Sequence, residues 1–188
     1  GTSEDKLQDS LMKLLQKTLK EHKRVLFNGN GYTDEWLTEA EKRGLPNLKS
    51  LTDAMPALIE DDSIALFTAY HIFSETELRA RYEILLENYS KLIHIESLTL
   101  QDMVKKDFTT GLLSYMSDVT AEALQKQEFS DTISVSYEKE ILETLSSSSE
   151  AINASLKKLA EDTASAESEA DEQKRAVKYH ETILADME

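Results

Sequence analysis

After its first third, this chain contains almost nothing that stops a helix. Proline occurs only at Pro46 and Pro56, and beyond them the sole glycine is Gly111. Proline removes an intrahelical donor and clashes with the preceding turn, and glycine in a helix interior costs about 1 kcal/mol relative to alanine. A run so free of both, filled with Ala, Leu, Glu and Lys, is helical. The fold class this imposes is all-α: an elongated antiparallel bundle of long helices with a small helical cap subdomain.

Leu7, Leu11, Leu14, Leu15 and Leu19 recur at spacings of three and four. They predict an amphipathic helix from about Ser3 to Arg24, with Lys13, Lys17, Lys20 and Lys23 outside and a basic last turn that suits the helix dipole. Val25-Leu26-Phe27 leads into Asn28-Gly29-Asn30-Gly31, a loop that needs positive φ or close backbone approach. Thr33 is placed to cap a helix from Asp34 to Arg43 that carries Trp36, and Gly44 to end it. A short helix is expected around Leu48–Met55, interrupted near Pro56. Another is expected from Ser63 to Tyr70, capped by Asp61 or Asp62. Segments this short must pack on something larger.

Ser74 and Glu77 form a capping box. From it a long pattern runs through Leu78, Tyr82, Leu85, Leu86, Leu92, Met103, Leu112 and Val119 to about Gln127, roughly 80 Å at 1.5 Å per residue. Ile93–Leu98 is apolar on more than one face, which implies deep burial or a change of phase. Phe129-Ser130-Asp131 marks a turn, and a second long helix is expected to reach the end. Within it, Ser146–Ser149 and the Ala- and Ser-rich stretch Ala160–Ala170 read as weakly packed, solvated helix or a splitting hairpin tip, ahead of close backbone packing. No internal repeat of fixed period stands out. The expected core is Leu11, Leu15, Leu78, Tyr82, Leu85, Leu92, Met103, Leu112, Ile141, Leu145, Ile152 and Leu156. The expected division is 1–24, a helix joining the bundle; 25–73, the cap; and 74–188, the long-helix hairpin.

The formal net charge of −15 disfavours nucleic acid and anionic lipid as partners, and there is no cysteine to form a disulfide or a thiolate metal site. No apolar run reaches the ~18–20 residues a bilayer span needs. The first residues, Gly1-Thr2-Ser3-Glu4, lack a signal-peptide pattern, and a cytoplasmic location is expected. None of the four histidines, His22, His71, His94 and His180, sits in a metal-binding spacing. His94 is expected in the core, satisfied by a local carboxylate. Asn28–Gly31 lacks the ending of a phosphate loop and reads as a tight connector held by Tyr32 and Trp36. Glu138-Lys139-Glu140 and Glu167–Glu172 read as solvated faces. No catalytic, cofactor-binding or metal-ligating residue is assigned.

One stretch is more specific. Val25-Leu-Phe-Asn-Gly-Asn-Gly-Tyr-Thr-Asp-Glu-Trp, then Glu39-Ala-Glu-Lys-Arg-Gly-Leu-Pro-Asn47, resembles a block of the type III glutamine synthetases. Asp53-Ala-Met-Pro-Ala-Leu58, Phe73-Ser-Glu-Thr-Glu-Leu78, Arg81-Tyr-Glu-Ile-Leu-Leu-Glu-Asn-Tyr89, Ile95-Glu96, Leu98-Thr99 and Asp102-Met103 continue the resemblance, which spans about Leu11 to Gln127. Tyr179-His180 is similar to a late element of the same family. The resemblance implies a parent enzyme that joins ammonia to the γ-carboxylate of glutamate through a γ-glutamyl phosphate, using ATP and a divalent metal (Mg or Mn). Its catalytic barrel would precede this region, so no cofactor and no catalytic residue is carried onto this chain, which is expected to be inactive alone and truncated at both ends. The implied partners are the catalytic domain of the same polypeptide and further copies in a homo-oligomer. Residues up to about Tyr89 would pack on the catalytic body, with Leu26, Phe27, Tyr32, Trp36, Phe67, Tyr70 and Phe73 supplying an apolar patch. The competing expectations are a stand-alone helical adaptor and a small metal-binding bundle enzyme.

Overall fold

The computed structural model describes residues 4–188, so the expected helix start at Ser3 lies outside the described residues. Every regular element among them is helical. The chain divides between Lys49 and Ser50 into two compact units.

In the first unit, α1 (Glu4–Glu21) is followed by a 3-10 turn at Lys23–Val25 and by α2 (Asp34–Lys42). The leucine stripe of α1 is exposed: Leu11 and Leu15, expected in the core, keep 51% and 46% of their surface. Thr33 occupies the N-cap of α2 as expected, but its hydroxyl makes no cap bond; it donates to the Asn30 carbonyl at 3.0 Å. The end of α2 follows expectation. Gly44 takes φ +71°, its N–H bonds to Glu41 and that of Leu45 to Ala40, the paired bonds by which a left-handed residue closes a helix.

The second unit begins with α3 (Leu51–Leu58), whose N-cap Ser50 accepts from Asp53 N at 3.1 Å. Pro56 lies inside α3 without interrupting it. Proline cannot donate to the carbonyl four residues back, here Thr52; Gln173 Nε2 donates to that oxygen instead, at 2.9 Å. α4 (Asp61–Ala69) starts two residues earlier than expected, so Asp61 and Asp62 sit in its first turn rather than capping it. There they still favour the positive end of the helix dipole.

α5 (Glu75–Met103) starts with the capping box in full: Ser74 Oγ accepts from Glu77 N, and Glu77 Oε2 accepts from Ser74 N at 2.8 Å. A π-helical turn, Val104–Phe108, joins α5 to α6 (Thr109–Phe129) without a break. The change of phase therefore lies here and not at Ile93–Leu98, which stays regular helix. α7 (Ser136–Glu167) returns antiparallel, since Lys126 meets Glu138 and Ser97 meets Thr163. The second long helix does not run to the end. It stops at Glu167; Asp171 then caps α8 (Glu172–Lys178), accepting from Lys174 N at 2.9 Å. A π-helical turn, Tyr179–Ile183, leads into α9 (Leu184–Met187). This terminal segment runs parallel to α5: Tyr82 meets Gln173 and Tyr89 meets His180, both at a sequence offset of 91.

Two apolar clusters sit along this seam. One joins Ile93, Leu159, Ala166, Tyr179 and Ile183; the other joins Met55, Leu86 and Ala176. Of the expected core, Leu78 is fully buried, and Tyr82, Leu112, Ile141, Leu145, Ile152 and Leu156 are half-buried. Leu85, Leu92 and Met103 are exposed. The error is one of phase. Leu85-Leu86 and Leu92-Ile93 are adjacent apolar pairs, and the partner helices take Leu86 and Ile93. Ser146–Ser148 are solvated as expected, and the split expected as one outcome for Ala160–Ala170 occurs at its end, where α7 stops at Glu167; before it, Thr163 and Ala166 are buried against the seam by close packing. A polar chain lies there: Gln101 Nε2 donates to Ser97 Oγ, the Ser97 and Thr163 hydroxyls bond at 2.8 Å, and Thr163 Oγ1 donates to the Leu159 carbonyl.

Leu86→Ala should cost about 2–5 kcal/mol in urea denaturation. Leu85→Ala, one residue away on the exposed side, should cost less than about 1 kcal/mol. Equal losses would place the core on the wrong face of α5.

Candidate functional site

The glycine loop of the first unit is held by a small aromatic anchor. Phe27 packs on Trp36 with ring centroids 4.4 Å apart, and the Arg43 guanidinium lies 5.8 Å from the Trp36 ring centroid. Arg43 also donates to the carbonyls of Leu26 (2.5 Å) and Arg24 (3.3 Å) and pairs with Glu39 at 2.6 Å. Neither Gly29 nor Gly31 has positive φ. Gly29 is required by close approach, because a Cβ there would lie 2.5 Å from the Phe27 ring; one at Gly31 would meet nothing within 4 Å. Asn30 Oδ1 accepts from Tyr32 N at 3.0 Å, an Asx turn. Tyr32, expected to hold the loop, is fully exposed; Phe27 and Arg43 do that work with Trp36.

The second unit brings together residues that are far apart in sequence. His94 Nδ1 is 2.9 Å from Tyr179 Oη, and Tyr89 Oη is 2.9 Å from His180 Nδ1. His94 is thus partnered, though by a phenol of the terminal segment and not by a local carboxylate. Burial pushes both phenols up; at Tyr179 the Glu167 charge adds to the rise and the Arg175 charge opposes it. Both tyrosines therefore remain neutral hydroxyls near pH 7 and act as hydrogen-bonding crosspieces between α5 and the terminal segment. His71 has φ +54° at the close of α4, the one non-glycine residue with positive φ among the described residues. His22 is exposed.

The acidic stretches are more engaged than their sequence suggests. Glu138 is buried, and its Oε1 accepts from Lys126 at 2.5 Å; that hydrogen bond is the main cause holding its carboxyl below the ordinary value of 4.5. It was expected on a solvated face, and its position at the foot of the α6–α7 hairpin explains the difference. Glu169 pairs with Lys178 at 3.1 Å, and Glu172 pairs with Arg175. Among the described residues no three His, Asp or Glu side chains converge as a cation site, and no helix is long and apolar enough to cross a membrane.

This fold and this distribution of polar groups define an all-helical module whose close contacts serve packing and helix registry. A family model described as "Glutamine synthetase C-terminal domain" matches residues 10–127, and the chain belongs to that family. It is 52% identical over 186 residues to a glutamine synthetase of Butyrivibrio fibrisolvens, covering 99% of this chain and 27% of that protein. It is 42% identical over 97 residues to a type-3 glutamine synthetase of Dictyostelium discoideum, covering 52% of this chain and 13% of the relative. A glutamine synthetase of Bacteroides fragilis is 27% identical over 179 residues, 93% of this chain and 25% of its own length. The chain thus spans about a quarter or less of the length of these relatives.

Trp36 is the only tryptophan, so its fluorescence reports the anchor alone. Gly29→Ala should red-shift and weaken its emission, while Gly31→Ala should leave it unchanged. For Glu138, a carboxyl depressed in the folded state contributes stability that is fully present above pH 4.5 and is lost as pH falls through the lower folded value. Glu138→Gln should therefore lower the thermal midpoint at about pH 7, with the gap to wild type closing as pH falls below 4.5. A gap that stays constant over that range would contradict the Lys126–Glu138 assignment.

Proposed function

We propose that this chain is the non-catalytic helical C-terminal part of a longer type III glutamine synthetase, where its role is structural and concerns assembly. The observation that carries this reading is the second apolar stripe of α5. Besides the buried side, Ile84, Leu85, Leu92, Ile95, Leu98 and Met103 are exposed, and their helical spacings gather them on the opposite side. A helix that is apolar on both sides is one built to be covered on both. The covering surface in this proposal is the catalytic domain of the same polypeptide, or a second copy in a homo-oligomer. The length of the relatives, roughly four times that of this chain for the Butyrivibrio protein, supports a large remainder able to do so. Exposed Leu66, Tyr70 and Ile72 around the end of α4 support the same reading.

In the proposed parent, ammonia is ligated to the γ-carboxylate of glutamate with ATP and Mg or Mn. The described residues do not fit those groups. No acidic or histidine cluster converges among the described residues, and the engaged carboxylates Glu87, Glu138 and Glu169 are each held by a lysine. No step of the ligation is therefore assigned to them.

The 188-residue chain, assayed with glutamate, ammonia, ATP and magnesium, should form no glutamine above the enzyme-free rate. Turnover that co-purifies with the chain and survives further purification would contradict the proposal.

A further inference from the structure

The loop before α2 carries two Asn-Gly pairs in succession, Asn28-Gly29 and Asn30-Gly31. Such a pair is reactive in its own right. Glycine has no Cβ to shield its backbone nitrogen, and that nitrogen can attack the side-chain amide carbon of the asparagine before it. All four residues are exposed. Neither glycine N–H donates to a backbone carbonyl among the described residues, so both attacking nitrogens are free. By sequence the two pairs are equivalent; their surroundings are not.

Two features separate them. Asn30 Oδ1 accepts from Tyr32 N at 3.0 Å, which polarises its amide carbonyl. When the Gly31 nitrogen adds to Asn30 Cγ, negative charge develops on that same oxygen, and a donor already aimed there lowers the barrier. Gly31 is also unhindered, since a Cβ built on it would meet nothing within 4 Å. Neither condition holds at Asn28. Its Oδ1 has no bond like that of Asn30 among the described residues. Gly29 is backed by the Phe27 ring, which would lie 2.5 Å from an added Cβ, and Phe27 is itself held on Trp36. A backbone wedged in this way resists the rotation that attack requires.

We propose that Asn30 is a site of spontaneous deamidation, selected over Asn28 by the folded loop. The Gly31 nitrogen gives its proton to a solvent base and bonds to Asn30 Cγ. The side-chain nitrogen takes up a proton and leaves as ammonia, which closes a five-membered succinimide. Water then opens either ring carbonyl, giving aspartate or isoaspartate; nothing is oxidised or reduced. Isoaspartate carries the main chain through the former side-chain carbon, and the former Asn30 carbonyl becomes a free carboxylate. That carbonyl accepts from Thr33 N at 3.4 Å and from Thr33 Oγ1 at 3.0 Å. The change therefore falls on the turn that leads into α2.

The test is incubation of the 188-residue chain in mildly alkaline buffer. Peptide mass spectrometry follows each asparagine, with electron-transfer fragmentation to separate isoaspartate from aspartate. Asn30 should convert at least about fivefold faster than Asn28 in the folded chain. In denaturing urea, where the loop contacts are lost, the two rates should converge to within about twofold. Gly31→Ala, at a position with room for a Cβ and without positive φ, should slow conversion of Asn30 about tenfold. Four results would overturn the proposal: no conversion at Asn30, Asn28 reacting as fast in the folded chain, the same preference persisting in urea, or an unchanged Asn30 rate in Gly31→Ala.

Discussion

Pro56 has no N–H to offer the Thr52 carbonyl, and the structure answers with a side chain from the far end of the sequence. Gln173 Nε2 donates to Thr52 O at 2.9 Å, while Gln173 Oε1 accepts from Tyr82 Oη at 3.0 Å. One amide thereby ties α3, α5 and α8 together, with both of its polar ends used. A buried carbonyl left without a donor costs about 1–3 kcal/mol, so the bridge does more than decorate the contact. It fixes where α8 sits along α5, and the rest of the seam follows from that registry. Ala176 falls between Met55 and Leu86, Tyr89 reaches His180, and His94 reaches Tyr179.

The same seam explains how a helix of 29 residues can be only half committed. One side of α5 is closed by α7 and the terminal segment, with small residues such as Ser97, Thr163 and Ala166 allowing close approach. The other side carries a second set of large apolar residues and remains open. The chain belongs to the glutamine synthetase C-terminal family and its relatives are longer; in the proposed function that open side is the surface covered by the remainder of such a protein.

Local chemistry was legible in the sequence and distant pairing was not. The Ser74–Glu77 capping box and the Gly44 stop depend on residues within five positions of each other, and both are present. The absence of helix breakers announced the fold class. Helical phase was harder, because Leu85-Leu86 and Leu92-Ile93 are apolar at both positions, and only the partner helix selects between them. The break at 168–171 contains neither proline nor glycine; its local signs are the Ala- and Ser-rich composition of 160–170, which allowed a split, and Asp171 as an N-cap. The π-helical turns at Val104–Phe108 and Tyr179–Ile183 left no pattern to read. His94 was recognised as a partnered histidine, but its phenol lies 85 residues away. Family resemblance carried the functional class, since no spacing in the chain encodes it.

The registry claim is tested most directly by a double-mutant cycle between Pro56→Ala and Gln173→Ala, followed by chemical denaturation. Alanine at 56 restores an N–H for the Thr52 carbonyl, so losing the Gln173 amide should then cost less than it does beside proline. A coupling of about 1 kcal/mol in that direction is the expected result. An identical cost of Gln173→Ala in both backgrounds would mean that the glutamine does not answer the proline, and that some other contact sets the position of the terminal segment.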